Sequence, residues 1–314
     1  MSLYLGIDTS NYTTSVALYD SENGEMIQRK QLLPVKKGNL GLRQSDAVFH
    51  HTKQLPELVE SLCSQRKGTI SAIGVSVKPR LVDGSYMPCF LCGEGLARSL
   101  SAFTGAEMYT TSHQAGHIFA ALFSSQKEEY ISSPFLSFHV SGGTTDCLLC
   151  LPDKENIINI SCVATSLDLK AGQAVDRVGV MLGLQFPCGK ELEDLALKSD
   201  RNYKIKPVLK GMDCSLSGLE NKCMKMKNDG ESPEDIANYC LTYIYATIRE
   251  MLACAKKEYG DIPVVFAGGV MSNSIIRNRI LSQYDAVFAQ PQYSCDNASG
   301  LALFARIKKE MVIS

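Results

Sequence analysis

Two stretches of the chain share one pattern of apolar and polar positions. YLGIDTSNYTTSVALYD, starting at Tyr4, runs apolar, breaks into a short polar turn and runs apolar again. PFLSFHVSGGTTDCLLCLPD, starting at Pro134, repeats the form, with Thr144-Thr145 where the first has Thr13-Thr14. Each reads as a strand, a tight turn and a second strand. After the first copy the pattern predicts a helix over 47–63, a buried strand in TISAIGVSV, a helix over 89–103, a short strand near 107–109 and a helix carrying His113 and His117. After the second it predicts a long helix from Pro233 to about residue 257, a strand and glycine turn in IPVVFAGGVMSN, and a last helix from about Ala298; proline suits the first turn of the long helix. Strands alternating with helices in two similar halves predict an α/β fold built by duplication. The expected division is 1–130 and 131–314, the two domains facing each other across a cleft, with QKEEYISS as a hinge and the last helix packing back on the first domain.

Composition narrows the class. The chain has 314 residues, 45% hydrophobic and 21% charged, enough for one large core or two domains. MSLYLGIDTS has no basic leader, and no apolar run approaches the roughly 20 residues a membrane span needs. Twelve cysteines sit mostly in apolar company, which reads as buried thiols in a reducing, cytoplasmic compartment. The net charge of −1 does not advertise a polyanionic partner. Between 198 and 227, however, Lys198, Arg201, Lys204, Lys206, Lys210, Lys222, Lys225 and Lys227 outnumber Asp200, Asp213 and Glu220. That cluster reads either as a phosphate-attracting patch or as a solvated face.

Candidate chemistry gathers in a few places. His113 and His117 in SHQAGH are four apart, so on a helix both imidazoles point one way, as metal ligands or as packing and capping groups. The glutamate that an HExxH protease uses as general base is replaced here by Gln114, so proteolysis is not expected. Ser141-Gly142-Gly143 after a strand, and Gly268-Gly269 leading to Ser272-Asn273 at a helix start, are places where backbone N–H groups and hydroxyls can meet a phosphate; each is also a plain turn signal. Cys147 and Cys150 lie in a strand and face opposite sides, so they cannot share a metal. Cys89 and Cys92 read as core thiols. His50 and His51 point about 100° apart on a helix and read as surface residues.

The stretches GIDTS at Gly6, SHQAGH at His113, HVSGGTT at His139, AGQAVDRVGVMLGLQFPCGKELE at Ala171, SLSGLENK at Ser215, FAGGVMSN at Phe266 and DNASGLAL at Asp296 span nearly the whole chain. In that order they resemble the tRNA threonylcarbamoyladenosine synthase family (TsaD or Gcp, formerly O-sialoglycoprotein endopeptidase). That family belongs to the ASKHA superfamily of actin, sugar kinases and chaperone ATPases. The resemblance implies a duplicated actin-like, ribonuclease H-like fold. It implies an acyltransferase of tRNA modification that moves a threonylcarbamoyl group from threonylcarbamoyl-AMP to the exocyclic amine of the adenosine next to the anticodon. His113, His117 and Asp296 would hold one divalent ion (iron, zinc or magnesium). His139, Val140, Ser141, Gly142, Gly143, Asp176, Gly189 and Asn273 would hold the adenylate or ATP, Asp176 at the ribose. TsaB-like and TsaE-like subunits would be partners; no catalytic residue is assigned, with Asp8 a candidate, and in an ATPase of the superfamily Asp8 and Asp146 would supply the acids near the phosphate loops.

The chain departs from the family pattern near these positions. The first turn reads Ser10-Asn11-Tyr12-Thr13-Thr14 without the usual acids, Lys78-Pro79-Arg80 replaces a GPG loop, Gln173 replaces a glutamate, and Cys188-Gly189 replaces Gly-Gly. These are changes expected of a diverged paralogue. An ATPase or phosphotransferase of the same superfamily, or a non-catalytic nucleotide-binding subunit, is the alternative reading.

Overall fold

The computed structural model describes residues 2–10, 12–34, 42–65, 68–294 and 298–313. The chain divides into two units, one of Met1–Glu128, Asp153–Ile157 and Cys295–Ser314, the other of Glu129–Pro152 and Ile158–Ser294.

The first unit is a five-stranded sheet with helices on both faces. Its elements are β1 (Ser2–Ser10), β2 (Thr13–Asp20), β3 (Glu25–Leu32), α1 (Gln44–Cys63), β4 (Thr69–Lys78), α2 (Phe90–Thr104), β5 (Glu107–Ser112) and α3 (His113–Ser125). The strand order is β3-β2-β1-β4-β5, with β1–β2 and β2–β3 antiparallel and β1–β4 and β4–β5 parallel. Because side chains alternate across a strand, Leu3, Leu5 and Ile7 of β1 pack with Leu55, Leu58 and Leu62 of α1 and Ala97 of α2. Tyr4 faces the other way, into a cluster with Ala17, Tyr19, Ala72, Ala302 and Ala305.

The second unit holds β6 (Phe135–Val140), β7 (Thr145–Asp153), β8 (Ile157–Thr165), α4 (Ala171–Met181), α5 (Gly189–Ala196), the short pair β9 (Leu209–Lys210) and β10 (Asp213–Cys214), α6 (Ser217–Asn228), α7 (Pro233–Tyr259), β11 (Val264–Ala267), α8 (Ser274–Leu281) and β12 (Val287–Phe288). The sheet order is β12-β11-β6-β7-β8. Read from β8 it repeats the first: an antiparallel hairpin, then two parallel strands beside its first member. The duplication seen in the hydrophobic pattern is therefore a duplication of sheet topology. Phe138, Phe266 and Phe288 stack across β6, β11 and β12 with centroids 5.0 and 4.8 Å apart. The long helix α7 starts as its sequence requires: the Ser232 hydroxyl accepts from the Asp235 N–H, Pro233 takes the first turn, and Glu234 and Asp235 face the positive end of the helix dipole.

The last helix, α9 (Ser299–Ile313), belongs to the first unit. It lies so close to β1, β4 and α3 that side chains are excluded from the contact. A Cβ on Gly6 would sit 2.2 Å from the Ala298 carbonyl oxygen, one on Gly74 2.0 Å from that of Leu301, and one on Gly300 1.9 Å from that of Gly116. Several boundaries differ from the sequence expectation. α1 begins at Gln44 because its first turn is polar and carries no apolar signal. β5 runs on to Ser112, which then caps α3. A 3-10 turn, Glu128–Ser132, occupies the stretch expected to be a hinge.

Gly300→Ala should cost more than about 3 kcal/mol, since the clash is with backbone that cannot move aside. Gly95→Ala, at an exposed position in α2 with open space around it, should stabilise by about 0.5–1 kcal/mol through helix propensity. Denaturant melts of the two variants against the parent check both signs.

Candidate functional site

The histidine pair stands at the start of α3. The Ser112 hydroxyl accepts from the Ala115 N–H at 3.1 Å and fixes the first turn, so His113 occupies the first helical position and His117 stands one turn on. Their Nε2 atoms converge to 3.0 Å. His113 Nδ1 lies 3.1 Å from both carboxylate oxygens of Asp8, at the end of β1. An ionised carboxylate only accepts, so His113 Nδ1 carries the proton and its Nε2 presents a lone pair on the side of His117. Asp8 is wholly buried, and Ser76 on the neighbouring strand β4 donates its hydroxyl to the same carboxylate.

This donor set fits a divalent ion. Two metal–nitrogen bonds of about 2.0–2.1 Å at a tetrahedral angle place their nitrogens roughly 3.3 Å apart, close to what is observed, and a carboxylate behind a ligating imidazole is the usual supporting group. Asp296, the third expected ligand, lies outside the described residues. Among the described residues no cluster of three His, Cys, Asp or Glu side chains is arranged to hold an ion. Around Asp8 the sheet also buries hydroxyls without hydrogen-bond partners among the described residues: Ser10, Ser15 and Thr111. Ser15 is cross-strand to Asp8 and Thr111 to Ser76, so the end of the sheet is polar well beyond the residues the sequence singles out.

His51 corrects the sequence reading. It is fully buried rather than on the surface, with Nδ1 2.8 Å from the Thr14 hydroxyl, which donates to Gln54 Oε1 at 2.6 Å. Burial pulls its pKa down to about 4, against the opposing charge of Asp8. The Cys-x2-Cys pairs do not form sites. Cys89 is the N-cap residue of α2, its thiol pushed up to about 12 by burial. Cys92 donates instead to the Val48 carbonyl. Burial also raises the thiols of Cys147 and Cys150, both enclosed in β7.

In the second unit a cavity of about 340 Å³ is lined by residues including Gly142, Asp176, Gly189, Lys190, Glu193 and Asn273, within the size range of small-molecule pockets. Of the expected ligand-binding residues, Gly142, Asp176, Gly189 and Asn273 line it, whereas His139, Val140, Ser141 and Gly143 do not. Val140 is buried in the core. Gly268, at φ +98°, lies against it so closely that a Cβ would meet the Val140 carbonyl oxygen at 2.2 Å. The Ser141 hydroxyl turns into its own loop, 2.9 Å from Thr144 Oγ1, and accepts from the N–H groups of Gly143 and Thr144. Gly172 at the start of α4 is pressed against this loop, its N–H donating to the Ser141 carbonyl.

The carboxylates of the pocket are fixed from behind. Asp176 Oδ1 accepts from the Cys188 N–H at 2.9 Å. Glu193 Oε1 accepts from the Ser274 N–H at 2.7 Å and from the Ser274 hydroxyl. Asn273 caps α8 through the Ile276 N–H and keeps its NH₂ group as a donor. The N-terminus of α8, which the sequence suggests for a phosphate, thus has its first N–H donors bound to Glu193 and Asn273. Glu193 and Lys190 carry no motif signal; the register of α5, with Leu192 and Ala196 buried, places them on the open side. The departures from the family pattern have structural uses as well. Gln173 Oε1 accepts from the Lys170 N–H at the start of α4. The Pro79 carbonyl accepts from the Gln114 N–H. The Cys188 thiol fills the space left by Gly179, where a Cβ would meet it at 2.7 Å.

The buried His51 makes stability depend on pH. Its folded pKa is depressed below the ordinary value of 6.5, so the unfolded chain takes up the proton first and stability is lost as pH falls from about 6.5 to about 4. The advantage of the parent protein over His51→Gln should shrink across that window by up to roughly 3 kcal/mol. Urea melts at pH 7 and pH 4.5 measure it, and a constant difference would contradict the assignment.

Comparison with known proteins assigns the whole chain. The family of tRNA N6-adenosine threonylcarbamoyltransferases, TsaD, matches residues 35–303. Relatives carrying that name are 31% identical in Sulfurihydrogenibium sp., over 97% of this chain and 90% of the relative, and 27% identical in Fusobacterium nucleatum, over 98% and 91%. Among solved structures, component A of the Acidaminococcus fermentans (R)-2-hydroxyglutaryl-CoA dehydratase superposes with a TM-score of 0.56 at 15% identity, covering 99% of this chain and all of that one. A ROK-family glucokinase from Streptomyces griseus gives 0.52 at 10%, covering 97% and 99%. HypF gives 0.62 at 13%, with this chain spanning 56% of its length. These structures share the actin-like fold. The chain is a member of the TsaD family, on the ASKHA fold.

Proposed function

We propose that the chain transfers the threonylcarbamoyl group of threonylcarbamoyl-AMP to the exocyclic N6 amine of the adenosine next to the anticodon of tRNA. The observation that carries the reading is the convergence of two Nε2 atoms at 3.0 Å, with a buried carboxylate holding the outer imidazole, in a chain matched by the TsaD family over residues 35–303.

In this reading the pocket of the second unit takes the adenosine. Asp176 and Glu193 each have one oxygen anchored by a backbone N–H, and their remaining oxygens suit the two ribose hydroxyls as acceptors. Gly189 and Gly142 leave open space where a side chain would stand, and the Asn273 NH₂ group donates to the ligand. His113, His117 and Asp296 would hold a divalent ion, which would supply Lewis-acid stabilisation of oxygen atoms on the acyl donor. Asp8, already bonded to Ser76 and His113, orients the imidazole. In the transfer, the N6–carbonyl bond forms, the bond from the carbonyl carbon to the phosphate oxygen breaks, the amine loses a proton, and AMP leaves. Positioning of the amine and the carbonyl is the main demand on the protein.

The test supplies threonylcarbamoyl-AMP and unmodified tRNA, with and without TsaB-like and TsaE-like subunits, and looks for the modified adenosine by mass spectrometry. Modified nucleoside is expected; phosphate release from ATP with no modified nucleoside would point instead to an ATPase. His113→Ala should abolish stoichiometric metal retention, measured by elemental analysis, with the circular dichroism melt preserved. Asp176→Ala should weaken adenylate binding by about 1–3 kcal/mol through loss of a charged acceptor, read by calorimetry.

A further inference from the structure

The basic stretch over 198–227 is sorted by the fold. Arg201 pairs with Glu231 and Asp235, Lys225 with Asp229, and Lys227 donates to the Met181 carbonyl. Lys204 and Lys206 have no ion-pair or hydrogen-bond partner among the described residues, and both are exposed. They sit on a segment without helix or strand that α7 pins in place: the Asn238 amide donates to the Arg201 carbonyl at 2.7 Å, and the Ser199 hydroxyl donates to Asp235 at 2.6 Å.

This segment and α7 enclose a second hollow of about 340 Å³, lined by Tyr203, Lys204, Lys206, Thr242, Tyr245 and Arg249 among others. Thr242, Tyr245 and Arg249 are spaced by three, four and seven along α7 and so share one face. The Tyr245 ring holds two guanidinium groups, with Arg249 5.9 Å and Arg279 5.6 Å from its centroid. Arg279 is fixed further by donating to the Thr242 hydroxyl, and Gln283 fixes the Tyr245 hydroxyl. Arg249 also pairs with Glu250 at 3.7 Å. The hollow is therefore lined by one arginine, Arg249, against the Tyr245 ring, with Arg279 on the same ring behind it, and by two exposed lysines.

We infer that this groove is a docking site for the sugar-phosphate backbone of the acceptor RNA, with Lys204, Lys206 and Arg249 meeting phosphates. The inference rests on the proposed function for the identity of the polyanion. An RNA is far longer than the adenosine pocket and needs contacts elsewhere on the protein. Guanidinium forks match phosphate oxygens in pairs, and unpaired lysines gain most by releasing counterions from a polyanion.

The test is fluorescence anisotropy of labelled, unmodified tRNA between 50 and 200 mM KCl. Lys204→Ala/Lys206→Ala should bind roughly ten-fold more weakly at 100 mM salt, with a log–log salt slope shallower by between about one and two, and with the parent's melt and adenylate affinity. Lys198→Ala/Lys222→Ala, lysines of the same stretch that do not line the groove, should change neither. An unchanged slope in the first variant, equal losses in both variants, or tighter groove-dependent capture of polyglutamate than of tRNA would overturn the docking site. Groove-dependent tRNA binding without threonylcarbamoyl transfer would remove the proposed activity and leave the groove standing. Transfer by Lys204→Ala/Lys206→Ala at an unchanged KM for tRNA would do the reverse.

Discussion

Asp8 is a carboxylate with no access to water, and a charge in that position survives only if its neighbours compensate it. Ser76 and His113 do so. Those bonds require β1, β4 and α3 to be delivered in one register, since slipping β1 by a single residue would turn Asp8 to the opposite face of the sheet and bring Ile7 or Thr9 in its place. The register is set far from the carboxylate, by Leu3, Leu5 and Ile7 packing on α1 and α2 and by Gly6 admitting the α9 backbone. The chemistry at the end of the sheet is in this sense a product of its apolar faces.

What could be read from the chain was local. Two histidines one turn apart behind a serine are a short-range pattern, and so are the strand, turn and strand of each half. The partner of His113 is 105 positions away, and no spacing rule reaches that far. His51 shows the same limit: its neighbour His50 says how the two rings diverge on a helix, but only the placement of α1 against Thr14 decides which of them is enclosed. Glu193 was hidden for the opposite reason. It stands among Lys190, Glu191 and Asp194 in what looks like an ordinary solvated face, and becomes a pocket carboxylate only when Ser274, 81 positions on, donates to it. The glycine motifs were legible as turns and less so as binding loops, because Ser141 spends its hydroxyl on its own loop.

The two copies of the hairpin have diverged in where they keep their charge. In the first, the carboxylate is on the leading strand, Asp8, opposite Ser15. In the second it is on the returning strand, Asp146, opposite His139, where it accepts from the Thr165 hydroxyl at 2.7 Å. Exchanging acid and partner across a β-pair keeps the local polarity of the turn while changing which neighbouring element can use it. The substitutions at Gln173 and Cys188 follow a similar economy, each retaining a hydrogen bond or a packing role at a position near the pocket.

The α9 helix carries a consequence for biosynthesis. The face of the first sheet formed by Tyr4, Ala17, Tyr19 and Ala72 is completed only by Ala302 and Ala305, nearly three hundred residues later in the order of translation. A nascent chain on the ribosome therefore holds its first sheet with one side uncovered while the whole second unit is being made, and an uncovered sheet face of this kind is a target for premature association.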